Sequence, residues 1–232
     1  MEKVNVSDIM IERPIGFTIA ERRFYIYPVT LGVLTLIQEV TESIKLNTQY
    51  LQINPMVEML RITEQHKDLA CRIIAYTTCN GKEVFEEDKI SERVDFFMAN
   101  MEEEDIASLL LTILTADKSA QVMKQLDIDK EMERMRKVSQ KQDNKHSVSF
   151  GGMSIYGTLI DPACERYGWT YDYVLWGISY MNLRLMLSDK ISNMYLTDDE
   201  LKKCKGLLTS KKNSVSAESK EGRELIKSMK WD

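Results

Sequence analysis

The chain has 232 residues, with 31 Lys and Arg against 36 Asp and Glu and a formal charge of −5, and 44% of it is apolar. That length buries a real core without metal or disulfide staples. Only 10 Gly and 4 Pro argue against a β-sandwich or a doubly wound α/β enzyme, both of which need many turns. Two His and four scattered Cys leave little material for a catalytic or metal centre, whereas 14 Met and 10 Tyr suit adaptable packing surfaces.

In chain order, residues 15 to 27 alternate Phe17, Ile19, Phe24 and Ile26 about a polar Glu21-Arg22-Arg23 centre, a β-hairpin pattern closed by Pro28. From Thr30 the period changes: Val33, Ile37, Val40 and Ile44 form one stripe of an amphipathic helix. Asn54-Pro55 is an N-cap followed by proline at the first helical position. It opens a segment carrying Leu60, Leu69, Ile73 and Ile74 that ends at Asn80-Gly81, with a break expected between Glu64 and Asp68. Ile90, Val94, Phe97 and Met101 make a third stripe. Glu102 to Asp105 then place acids on the first turn of a fourth helix, where the helix dipole favours them. A short helix follows over 129–138.

The expected organisation is mainly α: an N-terminal domain over 1–138 with a small β-hairpin at its start, a linker over 139–152, a C-terminal helical module over 153–208, and a flexible tail over 209–232. In the second module Pro162 opens a short helix and Gly168 is its C-cap. Thr170 caps a helix expected to run unbroken to about Asp189, with Trp169 and Val174 as its hydrophobic staple. Thr197 to Glu200 form a capping box for a last short helix.

Motifs of chemistry are missing. Cys71, Cys79, Cys164 and Cys204 include no Cys-x-x-Cys pair and read as reduced core thiols. Gly151-Gly152 lacks the Gly-Lys-Ser/Thr of a phosphate loop, and His66 and His146 have no nucleophile setting. No catalytic residue, cofactor site or metal set is expected. Arg134, Arg136, Lys137, Lys141 and Lys145 are interleaved with acids, and read as a solvated helix face rather than a nucleic-acid footprint. No run approaches a membrane span and no signal peptide opens the chain, so neither a membrane nor export is expected; the expected location is the cytoplasm.

The informative element is the 170–189 helix. At 3.6 residues per turn it carries Tyr171, Val174, Leu175, Ile178, Met181 and Leu185 on one face and Tyr173, Trp176, Tyr180, Leu183 and Leu187 on the other. Two apolar faces mean burial between modules or a docking surface. Trp169, Tyr173, Trp176, Tyr180 and Leu183 are the candidate partner-binding residues, and self-association is expected of such a surface.

Residues 17–32, Phe-Thr-Ile-Ala-Glu-Arg-Arg-Phe-Tyr-Ile-Tyr-Pro-Val-Thr-Leu-Gly, resemble the opening of tail assembly chaperones of long-tailed bacteriophages and prophages. Residues 166–176, Arg-Tyr-Gly-Trp-Thr-Tyr-Asp-Tyr-Val-Leu-Trp, followed by Leu183, look like the C-terminal segment of the same family. The resemblance implies a non-catalytic protein in the host bacterial cytoplasm. Its partners would be the tape measure protein, which it coats and keeps soluble, and the tail tube protein that displaces it. A structural helical adaptor of a phage particle, or a nucleic-acid-binding regulator acting through 134–145 and the tail with its Lys211, Lys212, Lys220 and Lys227, are the alternatives.

Overall fold

The structure, a computed structural model, describes residues 4–142 and 152–208. It is mainly α-helical, with thirteen α-helices and one two-stranded hairpin among those residues. The segments 143–151 and 209–232, which include most of the expected linker and the whole expected tail, lie outside the described residues.

A first helix, α1 (Val6–Met10), is capped by Asn5, whose side chain accepts the Ser7 N–H. The hairpin pairs β1 (Ile15–Ile19) with β2 (Arg22–Ile26) antiparallel, Phe17 opposite Phe24 and Ile15 opposite Ile26. Its two-residue turn, Ala20-Glu21, has both φ angles positive, +44° and +63°. That is the geometry that matches strand twist, achieved here without glycine or asparagine. Phe17 and Phe24 stack at 5.7 Å and bear on Phe97, with ring centroids at 6.3 and 5.0 Å. The hydrophobic side of the hairpin thereby joins the helical core.

The helices follow as α2 (Leu31–Ile44), α3 (Thr48–Ile53), α4 (Pro55–Gln65), α5 (Lys67–Thr77), α6 (Glu87–Asn100), α7 (Glu103–Leu114), α8 (Ser119–Gln125) and α9 (Ile128–Ser139). Thr30 caps α2 and Asn54 caps α4 ahead of Pro55, as their residue types require. The expected break in the 54–80 segment falls at His66, which ends α4 and precedes α5. Helix α5 is the centre of the core: Ala70, Cys71, Ile73, Ile74 and Ala75 are fully buried, and it packs against α2, α4, α6 and α7. A helix apolar on nearly every side survives only when its neighbours cover all of it. Among the described residues no single helix is long and apolar enough to cross a membrane.

Beyond the undescribed segment come a π-type turn over Tyr156–Ile160, then α10 (Asp161–Tyr167), α11 (Tyr171–Trp176), α12 (Tyr180–Ser188) and α13 (Asp198–Leu208). Two expectations are corrected. The unbroken 170–189 helix is two helices, interrupted at Gly177-Ile178-Ser179. The compact units also depart from the 1–138 and 153–208 partition. Of the described residues, 4–129 and 152–191 form one unit, and 130–142 with 192–208 form the other.

The cause of both departures is tertiary. Val29 C=O accepts the Tyr180 N–H at 2.8 Å, and Thr30 and Ser179 form an isolated antiparallel bridge. Glu12 accepts the Ser179 N–H and the Asn182 side-chain amide, each at 2.9 Å. These partners come from the start of the chain, and they hold the interruption open while Ser179 caps α12. In the second unit, Thr197 and Glu200 form the expected reciprocal capping box at the start of α13. Lys141 donates to the Lys203 carbonyl at 2.8 Å.

Candidate functional site

Gly168, with φ +66°, ends α10 in the left-handed conformation that glycine adopts most readily. The chain turns there and Thr170 starts α11, its Oγ accepting the Tyr173 N–H at 3.2 Å. This turn sets Trp169 against Tyr167 at 4.6 Å, nearly parallel, and edge-on to Tyr173 at 5.2 Å. Tyr173 is 43% exposed, and its ring lies directly over the bare backbone of Gly177. The Arg166 guanidinium sits 5.5 Å from the Tyr167 ring centre. Tyr167 is anchored by donating its hydroxyl hydrogen bond to the Met186 carbonyl at 2.9 Å.

On the same short helix Trp176 turns inward over Gly32 of α2, and its edge meets Phe85 at 5.2 Å. Phe85 is 61% exposed although its neighbour Val84 is buried. Carboxylates and lysines rim this corner: Lys82 pairs with Asp172, and Lys89 pairs with Glu83 at 3.1 Å. The Lys89 ammonium and the Asn80 N–H together hold the Glu83 carboxyl below its ordinary range. The hydroxyls of Tyr171 and Tyr156 hydrogen-bond to each other, which raises the Tyr171 pKa.

The five candidate residues therefore separate. Trp169 and Tyr173 share one aromatic surface patch. Trp176 belongs half to the core. Tyr180 is half-buried under the Arg184 guanidinium, 5.6 Å from its ring centre, and Arg184 is itself paired with Asp117 at 2.7 Å. Leu183 is fully buried, packed with Leu31, Ile160, Ala163, Val174 and Ile178. Placing Leu183 on a docking face is thus corrected: the interruption at 177–179 abolishes the continuous stripe that joined it to Tyr173. Phe85 and Tyr167 were missed. A bulky aromatic amid the acids Glu83, Glu86 and Glu87 is the available sequence signal for Phe85.

The titratable groups elsewhere are structural. Glu58 is fully buried, and its carboxylate accepts from Arg61 Nε at 2.8 Å and Nη2 at 2.6 Å and from the Asn47 N–H at 2.7 Å. Burial pushes the Cys71 thiol up to about 11 and Cys79 up as well, the reverse of an activated nucleophile. No group of His, Cys, Asp and Glu able to hold a metal exists among the described residues. Arg134 pairs with Glu131, and Arg136 and Lys137 pair with Glu133, so this basic stretch is locally neutralised; Lys145 and His146 lie outside the described residues. A groove of about 690 Å³ runs between α1, the base of the hairpin and the α7–α8 corner, lined by Ile9, Ile15, Val29, Ile113 and Met181.

The arrangement offers aromatic surface on a braced support, which suits binding. No family model, no curated protein and no solved structure matches the chain.

Proposed function

We propose that the chain is a non-catalytic assembly chaperone of the tail assembly chaperone kind, which binds the tape measure protein and keeps it soluble until the tail tube forms. The observation that carries this reading is the ring series Tyr167, Trp169 and Tyr173 at the turn from α10 to α11, half-buried at Tyr167 and Trp169 and exposed at Tyr173, with exposed Phe85 beside half-buried Trp176. Tyr and Trp present large contact area at low entropic cost, and clusters of them are the usual centres of protein interfaces. An apolar client helix laid on such rings gains roughly 25 cal/mol per Å² buried before association costs. The resemblance of residues 17–32 and 166–176 to tail assembly chaperones supplies the identity of that client and the host cytoplasm as the place of work.

Co-expression with the tape measure protein followed by affinity capture tests the reading. The W169A/Y173A variant, with native circular dichroism, is expected to recover at least about tenfold less client, a loss of some 1.4 kcal/mol. Undiminished recovery by the folded variant rejects this surface. A chaperone is also expected to be missing from purified particles, where a structural adaptor would be retained.

A further inference from the structure

The two outer edges of the hairpin are treated differently. On the β2 side, Arg22 and Arg23 carry charge, Arg22 lies over Phe96 at 4.9 Å, and Tyr27, just past the strand, donates to the Thr77 carbonyl of α5 at 2.9 Å. The β1 side is less guarded: the Arg23 side chain reaches over Gly16 from β2, and β1 has no charge of its own. Its sequence, Ile-Gly-Phe-Thr-Ile, is uncharged, and among the described residues no strand but β2 pairs with it. A two-residue turn makes Ile19–Arg22 and Phe17–Phe24 the hydrogen-bonded pairs, so the backbone N–H and C=O groups of Gly16 and Thr18 point away from β2. Both residues are exposed, and neither backbone has a partner among the described residues. Natural sheets ordinarily protect such an edge with charge, a bulge or a covering element.

We infer that β1 is a self-association edge, pairing antiparallel with β1 of a second copy of this chain about a two-fold axis at Phe17. That register places Gly16 opposite the partner's Thr18 and Thr18 opposite the partner's Gly16, so every outward donor meets an acceptor. Phe17 falls opposite itself, and Ile15 faces the partner's Ile19. Charge favours this pairing: β1 against β1 opposes no residue charged in its own strand, whereas β2 against β2 would bring the Arg22 and Arg23 side chains of both copies into one seam. Ile15 is 55% exposed, and Met10 and Ile11, just before it in the chain, are 72% and 61% exposed, apolar area that a second copy would cover. The paired segment is short because Pro14, with no N–H to donate, stands at its start.

The test is sedimentation equilibrium of the full chain over a roughly hundredfold range of concentration, with hydrogen exchange at the same concentrations. Wild type is expected to pass from monomer to dimer, with the Gly16 and Thr18 amides gaining protection as it does. T18P removes one outward N–H while leaving the inward ladder intact, and T18K adds an edge charge; each is expected to remain monomeric with a native spectrum. A wild type that stays monomeric throughout, or a folded T18P that dimerises as wild type does, overturns the inference. So does a dimer lost in Y173A but kept in T18K, which would place self-association on the aromatic patch. Protection of these amides on adding the tape measure protein without a dimer would instead make β1 a client edge.

Discussion

A methyl group on Gly32 would lie 2.5 Å from Cζ3 of Trp176, so the indole occupies the space a side chain would fill. This contact binds α11 to α2, more than 140 residues apart in sequence. Gly32→Ala is expected to destabilise the protein by about 1–3 kcal/mol through overpacking, despite alanine's better helix propensity. Trp176→Ala is expected to cost about 3 kcal/mol, the low end for aromatic truncation because the ring is only half-buried. In the Trp176→Ala background the Gly32→Ala change should become neutral or stabilising. A double-mutant cycle by urea unfolding reads that change of sign, and additive losses would show that the two residues do not share this space.

The Ala20-Glu21 turn holds two residues with side chains at positive φ, each costing roughly 1–2 kcal/mol relative to glycine. Glu21→Gly at φ +63° is therefore expected to raise stability by about 1 kcal/mol, with no change in the hairpin's register. The urea midpoint checks it. Glu21→Pro, whose ring forbids positive φ, should have the opposite effect.

Where the sequence spoke through local chemistry, the structure agrees: the caps at Asn54 and Thr170, Gly168 as a C-cap and the Thr197–Glu200 box are all contained within a few residues, while the hairpin forms with its turn at Ala20-Glu21 rather than at the expected Glu21-Arg22-Arg23 centre, whose arginines belong to β2. The interruption at 177–179 was illegible because its cause is remote. Nothing in Trp-Gly-Ile-Ser-Tyr reports that Val29, Thr30 and Glu12 will take up the Tyr180 and Ser179 backbone. On an unbroken helix Leu183 falls on the face of Tyr173; the break removes it from that face. The short helices α1, α3 and α8 escaped for a different reason: at five to seven residues they show too little periodicity to register.

Glu58 is ionised in a fully buried position because the Arg61 guanidinium, and after it the Asn47 N–H, hold its carboxyl below the ordinary range. A carboxyl depressed on folding contributes stability that is fully present above the unfolded value of about 4.3 and is lost as pH falls through the folded value. Wild type should therefore lose part of its stability in acid from this group alone. Glu58→Gln is expected to lower stability at pH 7 by about 2 kcal/mol, the worth of a charged hydrogen-bond set, and to show a shallower decline below pH about 4. Thermal melts across the acid range compare the two slopes. Parallel curves would mean that Glu58 does not carry this titration.

Tyr173 and Leu183 lie on consecutive helices and carry opposite burdens, which separates the surface from its support. Leu183 is fully enclosed with Leu31, Val174 and Ile178, so Leu183→Ala removes buried volume and is expected to cost about 2–5 kcal/mol. Tyr173 is 43% exposed, and its underside rests on Gly177 rather than in a cavity, so Tyr173→Ala should change stability by about 1 kcal/mol at most. Client capture should divide the other way: Tyr173→Ala reduces it at full stability, whereas Leu183→Ala reduces it only in proportion to the folded fraction. Measuring folded fraction by circular dichroism beside client recovery for both variants distinguishes the outcomes. If Leu183→Ala lost its client while fully folded and Tyr173→Ala did not, the binding face would lie on α12, and the turn at Gly168 would serve only to brace it.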